Sequence, residues 1–276
     1  MDNEILRKVQ LAQLDMAKEV KRICNKYNIN YFMDSGTLLG AVRHRGFIPW
    51  DDDLDFGMLR EDYEKFLKIA TTELDSKFFL QTWKNDVGFP YGFSKIRKKN
   101  TVYVEAIDQK TSGHKELWID IFPYDVYPDN VDCRKEQGKK LMQYRYTLMM
   151  KVGMTPWARH SGIIEKILVF CKYIPYILLS KVKTKKELIE NSEKEMMKYN
   201  STKSGNVFPQ GGGIPYGKWV IPNECVEKTV LLPFEDDEFM APQKYDEYLT
   251  LSYGDYMKLP PIEKRGNWHK ILEVKL

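Results

Sequence analysis

The strongest constraint in this chain is a run of acids set among apolar residues, Phe47-Ile48-Pro49-Trp50-Asp51-Asp52-Asp53-Leu54-Asp55-Phe56. Side chains of an extended segment alternate between faces, so Asp51, Asp53 and Asp55 share one face while Leu54 and Phe56 point into a core. An acidic block on its own usually reads as a solvated loop. Here the apolar residues before and between the acids argue against that reading. Carboxylates aimed at one point repel one another unless a cation lies there. With no Cys or His pair alongside, the hard oxygens suit Mg2+, with Mn2+ as a substitute, an ion that keeps waters and takes further ligands from phosphates. Upstream, Met33-Asp34-Ser35-Gly36-Thr37 reads as a strand end, a small-residue turn and a helix start. Backbone N–H groups and hydroxyls at such a turn bind phosphate oxygens well. A phosphate grip beside metal carboxylates is a phosphoryl-transfer site.

The run from Ser35 through Gly40, Arg43-His44-Arg45-Gly46 and Trp50 to Asp55 closely resembles the signature of the LicD family of phosphocholine transferases, relatives of the fukutin proteins in the nucleotidyltransferase superfamily. Later segments, Lys95-Ile96-Arg97-Lys98-Lys99-Asn100-Thr101 and Tyr253-Gly254-Asp255-Tyr256-Met257 with Pro260-Pro261 and Arg265, are also similar, so the likeness spans most of the chain. The resemblance implies an α+β fold, a nucleotidyltransferase-like mixed β-sheet core flanked by helices. It further implies CDP-choline as donor and a sugar hydroxyl of a glycan or lipid-linked oligosaccharide as acceptor.

At 276 residues the chain can bury one large core, and we read residues 1–276 as a single domain with a helical insertion at about 129–200. The net charge of +4 is too balanced to imply a nucleic-acid partner. Cys24, Cys133, Cys171 and Cys225 make no paired zinc spacing, and Met1-Asp2-Asn3-Glu4 runs into a charged amphipathic pattern rather than an apolar leader. These features lead us to expect a cytoplasmic protein, and the lipid-linked acceptor that the resemblance implies would put it in peripheral contact with the inner face of the plasma membrane.

Ile5, Val9, Ala12, Met16, Val20, Ile23 and Tyr27 recur at helical spacing and predict a long N-terminal helix with one buried stripe. Arg60 to Leu74 is again helical, and strands are expected at 78–83, 93–97 and 101–106. Lys95 and Arg97 alternate with Ile96 and so face one way, either as a solvated hairpin end or as cations opposite the donor's phosphates. Leu117-Trp118-Ile119-Asp120-Ile121-Phe122-Pro123 carries an acid in an apolar strand, where a lone carboxylate loses its hydration. Asp120 therefore needs a partner, and the cation of Asp53 and Asp55 is the nearest candidate. Asp125, beyond Pro123, is expected in a loop.

From 163 to 186 the chain is apolar and aromatic, interrupted by Glu165, Lys166, Lys172 and Pro175. It reads as a buried helical hairpin or as an interfacial helix in peripheral contact with a membrane, not as a span. Gln210 to Gly217 lacks the setting of a nucleotide loop and reads as a flexible connection. Short strands are expected at 219–221, 229–234 and 238–241, and a helix from Pro242 to Leu251.

What the resemblance implies for the site is Asp53 and Asp55 holding metal against the donor diphosphate, with Asp120 completing the metal set and serving as ligand or base. Ser35, Gly36 and Thr37 would grip phosphate oxygens, and Lys95 and Arg97 would offset charge on the leaving phosphate. Arg43, His44 and Arg265 are counted with the substrate-binding residues, and Trp50 is the candidate face for a quaternary ammonium group. Asp52 is expected to face away and orient Arg43 or His44, and His269 either to contact substrate or to pin the C-terminus. A transferase of another CDP-linked head group, ribitol phosphate or glycerol phosphate, would use the same acids. So would an enzyme that adds a nucleotide, whereas a glycan-binding scaffold would not need them.

Overall fold

The computed structural model describes residues 2–202, 204–209, 220–266 and 269–276. Asp2 accepts the Ile5 N–H at 2.8 Å and starts α1 (Asn3–Tyr27), and Asn28 ends it at φ 55°, a left-handed conformation that Asn tolerates. The buried stripe begins at Leu6 and runs through Val9, Met16, Val20 and Ile23; Ile5, placed on that stripe by its spacing, is exposed instead. There follow β1 (Phe32–Met33), α2 (Ser35–His44), β2 (Asp55–Leu59), α3 (Arg60–Glu73), β3 (Phe78–Gln81), β4 (Ser94–Lys98), β5 (Val102–Glu105) and β6 (Trp118–Tyr127). The chain then turns helical through α4 (Val131–Lys151), a 3-10 turn at Pro156–Arg159, α5 (Ile163–Val182) and α6 (Lys185–Met196). It closes with β7 (Asn206–Phe208), β8 (Ile221–Pro222), α7 (Asn223–Val226), β9 (Thr229–Phe234), β10 (Asp237–Pro242), α8 (Tyr245–Tyr253) and β11 (Ile271–Lys275).

The fold is α+β. Among the described residues the main sheet runs β1-β2-β6-β4-β3, with β7 on β6 and β8 on β7. Only the β2–β6 pairing is parallel within it, so the sheet is mixed. α1 and α3 pack on each other and on β6, burying Phe56, Phe66, Ile96, Ile119 and Ile121 in one core. Close packing dictates Gly57 on β2, where a Cβ would stand 2.3 Å from the Phe32 ring. The helices α4 to α6 form an excursion between β6 and its antiparallel neighbour β7.

Three expectations need correction. The acidic run is not one strand: β2 starts only at Asp55, and 51–54 form a loop. Asp125 is not in a loop but inside β6, where its carboxylate accepts from Arg60 through both oxygens (Nε to Oδ1 at 2.8 Å) and from Asn200 Nδ2 at 2.7 Å. A charge buried in a strand is thus satisfied by a structural ion pair. Finally, α5 is no buried hairpin, since one of its faces is open to solvent. The Gln210 to Gly217 connection and Trp219 lie outside the described residues.

Candidate active site

Cross-strand register assembles the site. Gln81, Lys95, Asp120 and Asp55 are successive register partners across β3, β4, β6 and β2. Register partners point the same way, and neighbouring strands lie about 4.8 Å apart. The acid of β6 is therefore flanked by the acid of β2 on one side and by a lysine on the other. Lys95 Nζ reaches Asp120 Oδ1 at 2.5 Å while lying 4.2 Å from the centre of the Trp118 ring. Arg97 is tied down more fully: Nε donates to Gln81 Oε1 at 2.6 Å and Nη1 to the Glu116 carbonyl.

The loop before β2 is positioned by amides from α1. Gln10 Nε2 donates to the Asp51 carbonyl at 2.9 Å and Gln13 Nε2 to the Asp52 carbonyl at 2.7 Å. Both glutamines are buried, one helical turn apart. The Asp55 N–H donates to Thr37 Oγ1 at 2.8 Å, and the Asp55 carbonyl accepts from the Asp34 N–H at 3.0 Å. Thr37, expected to grip phosphate, thus uses its hydroxyl oxygen to place Asp55. Ser35, at φ 47°, makes the turn from β1 into α2, and its hydroxyl donates to Asp34 Oδ1 at 3.2 Å. Gly36 faces the acids directly, since a Cβ there would meet Asp51 Oδ2 at 2.9 Å.

The electrostatics are those of a crowded anionic site. Burial, followed by the charges of Asp53, Asp120, Asp34 and Asp51, pushes the Asp55 carboxyl well above the usual carboxylate range. Burial, the charge of Asp53 and a hydrogen bond with it do the same to Asp51. Burial also raises Asp120, and the Lys95 ammonium opposes that rise. Asp34 accepts from Tyr124 at 2.9 Å and from Tyr248, yet its Oδ2 is buried with no hydrogen-bond partner among the described residues. An all-oxygen donor set whose members raise one another's proton affinity fits a hard divalent cation. Among the described residues no three acids, His or Cys are already closed to ligating spacing, and Lys95 is the cation that offsets Asp120.

Asp53, Asp55, Asp120, Lys95 and Arg97 all line one cavity of about 210 Å3. Part of its wall is aromatic, formed by Phe89, Tyr91, Phe93 and Phe122, with Tyr91 and Phe93 stacked at 5.1 Å. Glu105, Asp108, Arg145, Arg159 and His269 are among the other lining residues; sequence reasoning missed all of these but His269 because they come from four separate segments.

Arg43, His44, Trp50 and Arg265 are not in that lining. They form a second cluster: Arg43 Nε to His44 Nε2 at 3.0 Å, Arg43 Nη1 to the Tyr256 carbonyl at 2.8 Å, His44 edge-on to Trp50 at 6.1 Å, and Arg265 over Trp50 at 5.2 Å. A guanidinium already covers the indole assigned to a quaternary ammonium group. Asp52 orients neither Arg43 nor His44; it accepts from Tyr103 Oη at 2.6 Å and pairs with His269 Nδ1 at 3.1 Å. Tyr253, at the end of α8, stands in the field of Asp34, Asp55, Asp51 and Asp53, which links the Tyr-Gly-Asp-Tyr-Met segment to the acids.

A family model described as "LicD/FKTN/FKRP, nucleotidyltransferase domain" matches residues 28–161, which hold every acid of the site. The lipopolysaccharide cholinephosphotransferase LicD of Haemophilus influenzae is 31% identical over 269 residues, covering 96% of this chain and 96% of that protein. Human ribitol 5-phosphate transferase FKRP is 40% identical over 116 residues, 40% of this chain and 23% of that protein. Human ribitol-5-phosphate transferase FKTN is 23% identical over 167 residues, 58% of this chain and 31% of that protein.

Proposed function

The chain belongs to the LicD family of transferases, and on that premise we propose that it moves phosphocholine from CDP-choline to a sugar hydroxyl of a cell-surface glycan or its lipid-linked precursor, of teichoic acid or lipopolysaccharide type, releasing CMP. The observation that carries the reading is the register pairing of Asp55 with Asp120 beside Asp53 in one cavity. Asp53, Asp55 and Asp120 would hold a divalent ion, Mg2+ or Mn2+, which when bound neutralises charge on the donor diphosphate.

The acceptor hydroxyl oxygen forms a new bond to the choline-bearing phosphorus. The bond from that phosphorus to the bridging oxygen breaks, and CMP departs with its electron pair. The hydroxyl proton passes to the Asp120 carboxylate, the acid that strand register sets beside Asp55. Lys95, beside Asp120, offsets charge as the hydroxyl becomes anionic, and backbone N–H groups at Ser35 and Gly36 orient phosphate oxygens. The aromatic wall of Phe89, Tyr91, Phe93 and Phe122, with Glu105 and Asp108 nearby, suits the trimethylammonium head better than Trp50 does.

The likeness to FKRP keeps a second donor in view, CDP-ribitol. The test is a screen of CDP-choline, CDP-ribitol, CDP-glycerol and CTP against an envelope glycan extract, with Mg2+ and a chelator control, reading CMP release and label on the acceptor. CMP release with choline label on glycan supports the reading. Pyrophosphate release from CTP, or label transfer from CDP-ribitol alone, overturns it.

A further inference from the structure

α5 presents two faces of opposite use. Tyr173 and Ser180 are buried where the helix packs on α4. On the outer side Ile164, Ile167, Leu168, Ile174, Leu178 and Val182 are between 41% and 77% exposed. Their spacing of three, four and seven residues makes one continuous stripe, about 30 Å long for a 20-residue helix. Soluble surfaces rarely carry an apolar patch of that extent.

The charges flanking the stripe on the helix are mainly basic. Lys172 and Lys181 are exposed on the helix, against Glu165 near its start, whereas Lys183 and Lys186 just beyond it pair with Glu187 and Glu190. Among the described residues no helix is long and apolar enough to cross a membrane. An amphipathic helix with an aliphatic face and lysines at its margin lies in the headgroup boundary instead.

The helix is also coupled to the cavity. Phe170 packs edge-on against Trp157 at 5.0 Å, and Tyr173 and Tyr176 each pack against Tyr146 at 5.1 Å. The neighbours of those rings in the chain, Met154, Arg159 and Arg145, line the cavity. We propose that α5 is a docking helix for an anionic bilayer surface, which sets the cavity one packing layer from the lipid. This rests on the exposed face and its charges, so it stands or falls apart from the phosphocholine reading.

The test is co-sedimentation of the full chain with vesicles of phosphatidylcholine alone and of phosphatidylcholine mixed with phosphatidylglycerol, alongside a light-scattering mass in vesicle-free buffer. The wild-type chain should pellet with the anionic vesicles and far less with the neutral ones. A Leu168→Glu/Leu178→Glu variant with an unchanged circular dichroism spectrum should partition at least about tenfold less, a fully immersed leucine being worth about that factor. Lys172→Gln/Lys181→Gln should retain the fold and lose much of the preference for anionic lipid. No partition of the wild-type chain, equal partition of the glutamate variant, or a dimer that the glutamate variant converts to monomer without any vesicle binding would each overturn the proposal.

Discussion

Replacing Lys95 by Met tests whether the row Lys95, Asp120, Asp55 is the electrostatic unit described above. The Lys95 and Asp120 side chains are 8% and 14% exposed, and their contact is 2.5 Å. Removing one partner of a buried pair costs about 3–5 kcal/mol, because the other charge is left uncompensated. Asp120 borders the cavity and can take up a proton, which places the cost at the lower end, about 3 kcal/mol. At about 2–4 °C per kcal/mol for a chain of this size, Tm should fall by about 6–12 °C. The double variant Lys95→Met/Asp120→Asn removes the stranded charge and should recover most of that loss, yet remain unable to transfer phosphocholine. Thermal unfolding of wild type, both single variants and the double variant by circular dichroism measures all terms. A Lys95→Met Tm within about 2 °C of wild type, or a double variant no better than the sum of the singles, would refute the pairing.

Asp55→Asn should abolish transfer while leaving Tm unchanged or higher at pH 8. The Asp55 carboxyl is raised in the fold, so its ionisation costs stability as pH rises from about 4 through its folded value, and Asn is spared that cost; a variant unfolded at pH 8 would contradict this. Arg60→Ala strands Asp125 in β6 and should lower stability by about 3 kcal/mol in a urea titration, with transfer per folded molecule unchanged. Burial alone would lower His269, but the hydrogen bond to Asp52 and the charges of Glu105 and Asp53 raise it to about 9. Its stabilisation is therefore full below about 6.5 and lost as pH rises through the folded value. The stability deficit of His269→Gln should shrink between pH 7 and 10, and a constant deficit would discount the pair.

The site acids were legible because each breaks a local rule. Asp53 and Asp55 interrupt an apolar run, and Asp120 sits mid-strand where an unpaired charge is costly. Lys95 and Arg97 followed from period-two alternation, and strand pairing brings both to the same cavity. What alternation along one strand could not supply was register between strands. It left Asp120 without its lysine and Asp125 without Arg60. Asp52 was misread because a carboxylate next to the site acids can equally well hold a neighbouring ring, and only the partner's position decides; the contact of Thr37 with the Asp55 backbone likewise depends on packing that alternation does not show. Gln10 and Gln13 left a signal that could have been used, two amides one turn apart on an apolar helix stripe. The aromatic residues of the lining had none, and for His269 the two readings could be told apart only by the pairing of β11 with β5, which brings the segment before it to Asp52.

The most direct test of the account is a Mn2+ titration followed by electron paramagnetic resonance, with CDP-choline present, on the wild-type chain and on Asp53→Asn, Asp55→Asn and Asp120→Asn. The account predicts that wild type quenches the signal of free aqueous Mn2+ and that each Asn variant, still folded, leaves most of that signal in place. Asn variants that quench it as wild type does would show that the ion is held elsewhere and would contradict the central claim.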